Sequence, residues 1–168
     1  MKFLNLSFML PILLLAGCAG KTKTLEHEIS LPFTCAGPIF EGSNTAAPEF
    51  TNFMDSLLKA NGLKAEQVQS VKLVSATMST EDSLGFDATS SATVSMSTPK
   101  AKMQEVAVLN PIAKGSKSIT LKTSDERELR EYFNEQLISM VCDLNFGADR
   151  DADFQLKGNF RFRITVKE

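Results

Sequence analysis

Three aspartates on alternate residues form the most concentrated set of candidate metal ligands in the sequence, at Asp149, Asp151 and Asp153. Carboxylate oxygens are the ligands that Ca²⁺ prefers, and calcium-binding loops place them on alternate residues. The match to an EF-hand loop ends there, because Phe154 replaces the turn glycine and Phe160 stands in the place of the closing glutamate. The pattern predicts an acidic, solvated turn between two strands, with weak calcium binding as the alternative.

General acid–base or nucleophilic chemistry would have to be built around His27, the only histidine. Glu26 and Glu28 flank it in the sequence but would lie on the opposite face of a strand. The sequence has no Gly-x-Ser-x-Gly nucleophile motif and no phosphate-binding glycine loop. One histidine with Cys35 and Cys142 also falls short of the four ligands of a structural zinc site. We therefore predict a solvent-facing strand histidine and a protein that is not an enzyme.

The first residues of the chain have the composition of an export signal. Lys2 gives a positive start, residues 3–15 are largely apolar, and Leu15-Ala16-Gly17-Cys18 places two small residues directly before a cysteine. This segment resembles the lipobox of bacterial lipoprotein signal peptides. The resemblance implies that residues 1–17 are removed and that Cys18 carries a thioether-linked diacylglycerol as the acylated N-terminus. Two acyl chains are enough for stable anchoring on a membrane outside the cytoplasm.

Two other export or anchoring segments explain the leader less well. An uncleaved membrane anchor needs about 20 apolar residues, and this stretch is shorter and contains Pro11. An ordinary secretory signal has no need of a cysteine at this place. Ala19 stands where aspartate marks inner-membrane retention, so the resemblance implies the outer membrane, facing the periplasm, in a Gram-negative source. The chain then divides into a signal peptide (1–17), a lipidated cysteine with a short tether (18–23) and one domain (24–168).

Composition disfavours nucleic acid and exposed sugar-binding platforms. The formal net charge is −2, and loss of the leader, with Lys2 as its only charged residue, makes it more negative. The sequence has no cluster of basic residues that could bind phosphate groups, so nucleic acid is not an expected partner. Tryptophan is absent and Tyr132 is the only tyrosine, although amphipathic rings of these types are preferred at such platforms.

Once Cys18 is assigned to lipid, Cys35 and Cys142 remain as an even pair in a compartment where disulfides persist. Counting in twos places each of them on the apolar face of a strand, so both sulfurs are expected to face the core. We predict a disulfide between them. Two separate buried thiols that behave as small hydrophobic residues are the alternative.

Alternating apolar residues predict strands along most of the chain. They are expected at 25–34, 68–79, 92–98, 105–109 and 118–122, and two long strands close the sequence. Helical spacing of apolar residues predicts two helices, one from Pro48 to Asn61 and one from Asp125 to Asn134, the second capped by Ser124 or Asp125. The fold class is mainly β: one antiparallel β-sandwich, Ig-like, with about seven strands and the two short helices in connections. A closed barrel around an apolar ligand is the alternative.

The last strand is predicted to have one apolar and one basic face. Phe160, Phe162 and Ile164 alternate there with Arg161 and Arg163, which requires one side in the core and the other in water. The outward arginine pair is a candidate surface for an acidic partner, and a merely solvated face is the alternative.

From these observations, we expect a non-catalytic envelope lipoprotein that binds or assembles with another envelope component. A calcium- or small-ligand-binding module that uses the Asp149 to Asp153 turn is the alternative function.

Overall fold

The computed structural model describes residues 21–124 and 126–168. Within them the chain forms strands β1 (Thr22–Cys35), β2 (Gly42–Ala46) and β3 (Glu49–Thr51), helix α1 (Met54–Ala60), and strands β4 (Val68–Ser79), β5 (Thr89–Ser97), β6 (Gln104–Leu109), β7 (Ser118–Thr123), β8 (Leu137–Phe146) and β9 (Phe154–Lys167). Two short 3-10 helices cover Ala65–Gln67 and Arg130–Asn134.

The strands form one long antiparallel sheet that curls into two facing layers. The first layer has the order β1-β9-β4-β7, and the second has the order β6-β5-β8-β2, with β3 also paired to β8. The layers are joined where β7 pairs with β6 at only two positions, Ala107 with Thr123 and Val108 with Lys122. This order is that of a double-sheet jelly roll, in which each layer takes strands from both halves of the chain.

The core lies between the layers because each long strand turns its apolar residues inward on alternate positions. On β9, Phe160, Phe162 and Ile164 are fully buried, and on β8 the matching inward residue Cys142 contacts Met78 of β4, with 3.8 Å between Sγ and Sδ. Rings from the two layers also meet edge to face, and the ring centroids of Phe146 and Phe154 are 5.5 Å apart. These contacts are characteristic of a sandwich filled by side chains.

One inward position of β9 is occupied by a glycine because two phenylalanine rings already fill the space. A Cβ built on Gly158 would lie 2.6 Å from a ring carbon of Phe160 and 2.8 Å from one of Phe33. These distances are shorter than any normal carbon contact, so a side chain there would force the rings to move.

The predicted helix from Pro48 to Asn61 is wrong in its first half. Phe50 lies in β3, where it pairs with Ile138 of β8, and α1 begins only at Met54. Asn52 determines the boundary, since its side-chain amide donates to the carbonyl of Phe133 at 2.7 Å and its oxygen accepts from the Met54 amide at 2.8 Å. Pairing with β8 thus makes residues 49–51 a strand despite their helical spacing of apolar residues, and only the residues from Met54 onward form the helix.

The second predicted helix is a single 3-10 segment, Arg130–Asn134, rather than a helix from Asp125. Asp125 itself lies outside the described residues, and Leu129 occupies the cap position without a capping side chain. The Glu128 carboxylate accepts from the amides of Val71 and Arg130, both at 2.9 Å, and so fastens this segment to β4. The apolar side of the segment, which includes Tyr132, is buried.

The mainly β, antiparallel sandwich is confirmed, and β4 has the bounds expected from the sequence. The strand order differs from the Ig-like arrangement, whose layers are ABED and CFG. In the described residues there are nine strands instead of about seven, because the short β2 and β3 carry too few alternating residues to be recognised.

Candidate functional site

The sandwich has two chemically different ends. The connections 36–41, 80–88, 110–117 and 147–153 lie together at one of them, the loop end, because β1, β4, β6 and β8 all finish there. The other, the terminal end, holds Lys21 and Glu168, and the Glu168 amide donates to the Lys21 carbonyl at 2.8 Å. β1 runs from the terminal end to the loop end and is paired with β9 at every residue.

Arg150 holds the loop end together. Its guanidinium donates to the Asp82 carboxylate at 2.6 Å and to the carbonyls of Ala152 and Asp153 at 2.9 and 3.0 Å, and it lies 5.1 Å from the centre of the Phe154 ring. The hydrogen bond from Arg150 is the main reason why the pKa of Asp82 lies below its usual value. One side chain therefore couples the 80–88 connection to the 147–153 connection.

Two of the three predicted metal ligands accept hydrogen bonds from the 36–41 connection. The Asp149 carboxylate accepts from the Glu41 amide at 2.7 Å, and the Asp153 carboxylate accepts from the Gly37 amide at 2.8 Å. Among residues 21–124 and 126–168, no three His, Cys, Asp or Glu side chains are grouped so that they could hold a metal ion. Calcium binding at this turn stays a prediction, and the geometry shows instead two carboxylates that fasten 36–41 to 147–153. The remaining carboxylate, Asp151, is exposed.

Two large apolar side chains project from this network into solvent. Phe40 and Leu84 are each 63% exposed, although they are close in sequence to Ile39, which pairs with Arg150, and to Asp82. Sequence reasoning missed both, because a lone apolar residue in a loop shows no periodicity. The only available signal was an apolar residue inside a turn rich in Gly, Pro, Ser and Asp.

An open cavity of about 460 Å³ lies between the same connections, lined by 87–90, 111–112, Lys114 and 147–148. Its polar groups are partly used within the fold, since the Lys114 amine donates to the Asp87 carbonyl and the Gly115 amide to the Asp87 carboxylate. The four loops carry more carboxylates than cations: Glu41, Glu81, Asp82, Asp87, Asp149, Asp151 and Asp153 against Lys114, Lys117 and Arg150. The loop end thus combines an acidic rim with exposed apolar side chains.

His27 does not simply face solvent, which corrects the sequence prediction. Its ring is half-buried and stacks on Phe53, with 4.0 Å between ring centroids and 25° between planes. Burial lowers the pKa of His27 because the charged form loses water. Glu26 and Glu28 are on the opposite strand face, as expected from their position in the sequence.

Cys35 and Cys142 are both buried and are free thiols in the structure, so the predicted disulfide is not formed there. Burial raises the pKa of Cys142 strongly, and the neighbouring Cys35 raises it further. Burial also raises the pKa of Cys35, with a smaller effect from Asp143. The prediction that both sulfurs face the core is confirmed.

Arg161 and Arg163 face outward from β9, as predicted, but each has a carboxylate beside it. Arg161 lies opposite Glu28 with 3.2 Å between charged atoms, and Arg163 lies opposite Glu26 with 3.3 Å. The candidate basic surface is therefore a row of mixed charge. The sequence could not show this, because the pairing depends on the register between the first and last strands.

The leader residues 1–17 and Cys18 lie outside the described residues. In the part of the chain that is described, no helix has the length and apolar character needed to cross a bilayer.

No protein-family model matches the sequence, and a search of curated proteins gives no match. Among solved structures, Desmodium yellow mottle tymovirus aligns at 9% identity and a TM-score of 0.32, over 100% of this chain and 95% of that one. The BFDV capsid protein of a 60-mer aligns at 9% identity and a TM-score of 0.38, over 89% and 95%. A carbohydrate-binding module of the β-sandwich superfamily aligns at 8% identity and 0.34, over 83% and 55%. Scores at this level relate the chain to none of these proteins in function.

Proposed function

We propose that the protein is a lipoprotein, held by lipid on Cys18 to a membrane outside the cytoplasm, and that its sandwich binds another envelope component through the loop end without catalysis. In a Gram-negative source the membrane is the outer membrane and the domain faces the periplasm. The observation that carries this proposal is the separation of the two ends, since β1, the strand that follows the tether, begins at the end opposite the four loops.

The length of β1 sets the distance over which the domain can act. Its 14 residues, at about 3.3 Å each, span about 46 Å. A lipid close to Lys21 would thus hold the loop end well away from the membrane surface. The exposed apolar side chains of Phe40 and Leu84, which lie at the loop end, would then face a partner in the surrounding compartment.

The loop end is also prepared for binding because its loops are fixed to one another before a partner arrives. Backbone pairing of Ile39 with Arg150, at 2.8 Å in both directions, joins the first loop to the last. The Phe86 amide donates to Ser116, and the Gly147 amide donates to Ala88, which ties in the other two. Binding to such a surface costs less ordering entropy than binding to mobile loops. Its acidic rim favours a partner whose contact surface is basic around an apolar centre.

The non-catalytic part of the proposal rests on where the reactive side chains lie. His27 stacks on Phe53 away from the loop end, and its lowered pKa reflects burial rather than a charged partner. The thiols of Cys35 and Cys142 are enclosed in the core with raised pKa values, which is the opposite of an activated cysteine.

The anchoring part is tested by Cys18→Ser in the full chain. The variant should leave the membrane fraction and lose lipid labelling, because the proposed anchor is the lipid. Continued membrane retention after signal cleavage would refute the anchoring.

The binding part is tested by photo-crosslinking residues placed at Phe40 and at Leu84 in cells, with exposed Lys122 at the other end of the first layer as the control position. Both loop-end positions should crosslink to the same protein, and Lys122 should not. With the crosslinking residue at Phe40, Leu84→Asp should reduce that product, and with the crosslinking residue at Leu84, Phe40→Asp should do the same, while Tm stays unchanged. Equal crosslinking from Lys122, or a product that neither aspartate substitution affects, would contradict a partner site at the loop end.

A further inference from the structure

The terminal end carries an exposed apolar tip of its own, in the connection 98–103. Met103 is 62% exposed, and Lys100 and Lys102 before it are also exposed. Leu137, the first residue of β8, is 50% exposed at the same end of the sandwich. These are the large apolar side chains that the core leaves out on this side of the described molecule.

This tip is held rigidly. The Tyr132 hydroxyl donates to the Lys102 carbonyl at 2.6 Å, and the Ala101 amide donates to the Thr98 hydroxyl at 2.9 Å. The Lys100 ammonium forms an ion pair with Glu135 at 2.8 Å. Tyr132 is buried and so fixes the loop from beneath. Met103 is consequently presented to its surroundings by the fold.

The position of the tether decides what those surroundings are. Only Ala19 and Gly20 separate Cys18 from Lys21 in the sequence, and an extended chain covers at most about 3.6 Å per residue, so a lipid on Cys18 could be no more than about 11 Å of chain away from Lys21. A bilayer that holds lipid on Cys18 would therefore lie close against the terminal end. An exposed apolar side chain directly beside a lysine, as Met103 is beside Lys102, suits the boundary between lipid headgroups and acyl chains.

We infer that the terminal end rests on the membrane, with the side chain of Met103 inserted among the lipids and Lys102 beside anionic headgroups. This inference rests on the proposed lipid anchor. The added contact restrains the tilt that a flexible lipid tether alone would leave free, and it keeps the long axis of β1 directed away from the bilayer. The partner of this apolar tip is thus a lipid surface with anionic headgroups.

The absence of tryptophan from the sequence makes the test direct, because one introduced indole reports on one place. The lipidated full chain is reconstituted into vesicles of phosphatidylethanolamine with phosphatidylglycerol, as Met103→Trp and, separately, as Leu84→Trp. The two positions are matched, at 62% and 63% exposure, but lie at opposite ends. The indole of Met103→Trp should shift its emission to the blue, be quenched by brominated lipid and lose about half or more of its quenching by acrylamide. The indole of Leu84→Trp should change in none of these respects.

The outcomes separate the two proposals. If Cys18 carries lipid by mass spectrometry and the protein floats with the vesicles, but both indoles stay equally open to acrylamide, the membrane contact of Met103 is wrong and the anchor stands. If the indole of Leu84→Trp is the one quenched by brominated lipid, the orientation is reversed and the inference is overturned. If Cys18 is unmodified and the protein does not float, the proposed function is refuted and the inference with it.

Discussion

Replacement of Arg150 by methionine removes the charge that joins the 80–88 and 147–153 connections and keeps an unbranched apolar side chain at that position. The Arg150 and Asp82 side chains are only 19% and 18% exposed, so their pair lies between a surface ion pair, worth about 0–1 kcal/mol, and a buried pair, whose disruption costs about 3–5 kcal/mol. The contact of the guanidinium with the ring adds about 0.5–1 kcal/mol. We expect Arg150→Met to lower the free energy of unfolding by about 2–3 kcal/mol.

For a domain of this size, about 1 kcal/mol corresponds to about 2–4 °C in Tm, so the expected loss is about 5–10 °C by thermal unfolding followed by circular dichroism. Arg161→Met is the matched control, because the Arg161 and Glu28 side chains are 49% and 53% exposed and their pair contributes about 0–1 kcal/mol. An Arg150→Met variant that melts within error of Arg161→Met would refute the role given to Arg150.

The same pair has a pH signature. Because the pKa of Asp82 is lowered in the folded protein, the stabilisation is present above the unfolded value of 3.8 and is lost as the pH falls through the lowered folded value. The difference in Tm between the wild type and Arg150→Met should therefore shrink in acid and be constant near neutral pH. A difference that persists unchanged well below pH 3.8 would assign the effect to packing alone.

Gly158→Ala should lower the free energy of unfolding in urea by about 1–3 kcal/mol, because its methyl group would lie 2.6 Å from a ring carbon. Gly147→Ala is the control and should be neutral or stabilising, because no neighbour would lie closer than 3.8 Å to its methyl group. Equal effects of the two substitutions would contradict the close packing at Gly158. Because the pKa of His27 is lowered in the folded protein, the free energy of unfolding rises with pH through the window below 6.5, and the fall in Tm on acidification from neutral pH should be smaller in His27→Gln. His27→Ala should leave the cellular role intact, and loss of that role in a folded variant would reopen the search for an enzyme. Protein taken from the envelope without reductant and then unfolded should show two titratable thiols, at Cys35 and Cys142, as in the structure, whereas the absence of both would establish the disulfide expected from the sequence.

Strand positions could be predicted from the sequence because each long strand alternates apolar and polar residues against one core. β4 and the inward row of β9, from Phe160 to Val166, follow directly from that period. The segment after Pro48 could not, because its helical spacing competes with pairing to β8 that only the assembled sheet provides. Local pattern and tertiary contact disagree there, and the tertiary contact wins.

The candidate site was harder to predict than the fold because it depends on which loops meet. Asp82 and Arg150 are far apart in the sequence, and only the jelly-roll order brings their connections to one end. The acidic turn could be found from its composition, but its role as a fastening for 36–41 needed the three-dimensional neighbours Gly37 and Glu41. The stacking of His27 on Phe53 was invisible for the same reason.

The full-length pairing of β1 with β9 has a mechanical consequence. If the protein is held at Lys21 and a partner pulls on the 147–153 connection, which enters β9 at the loop end, β1 and β9 are pulled in opposite directions and the load acts in shear on the whole ladder at once. The hydrogen bonds of an antiparallel pair are perpendicular to the strands, so under such a load they must give way together. Tension between Lys21 and Glu168, which sit side by side, would instead peel the same ladder one pair at a time. The domain is therefore expected to be strongest along the one direction in which an anchored linker would be loaded.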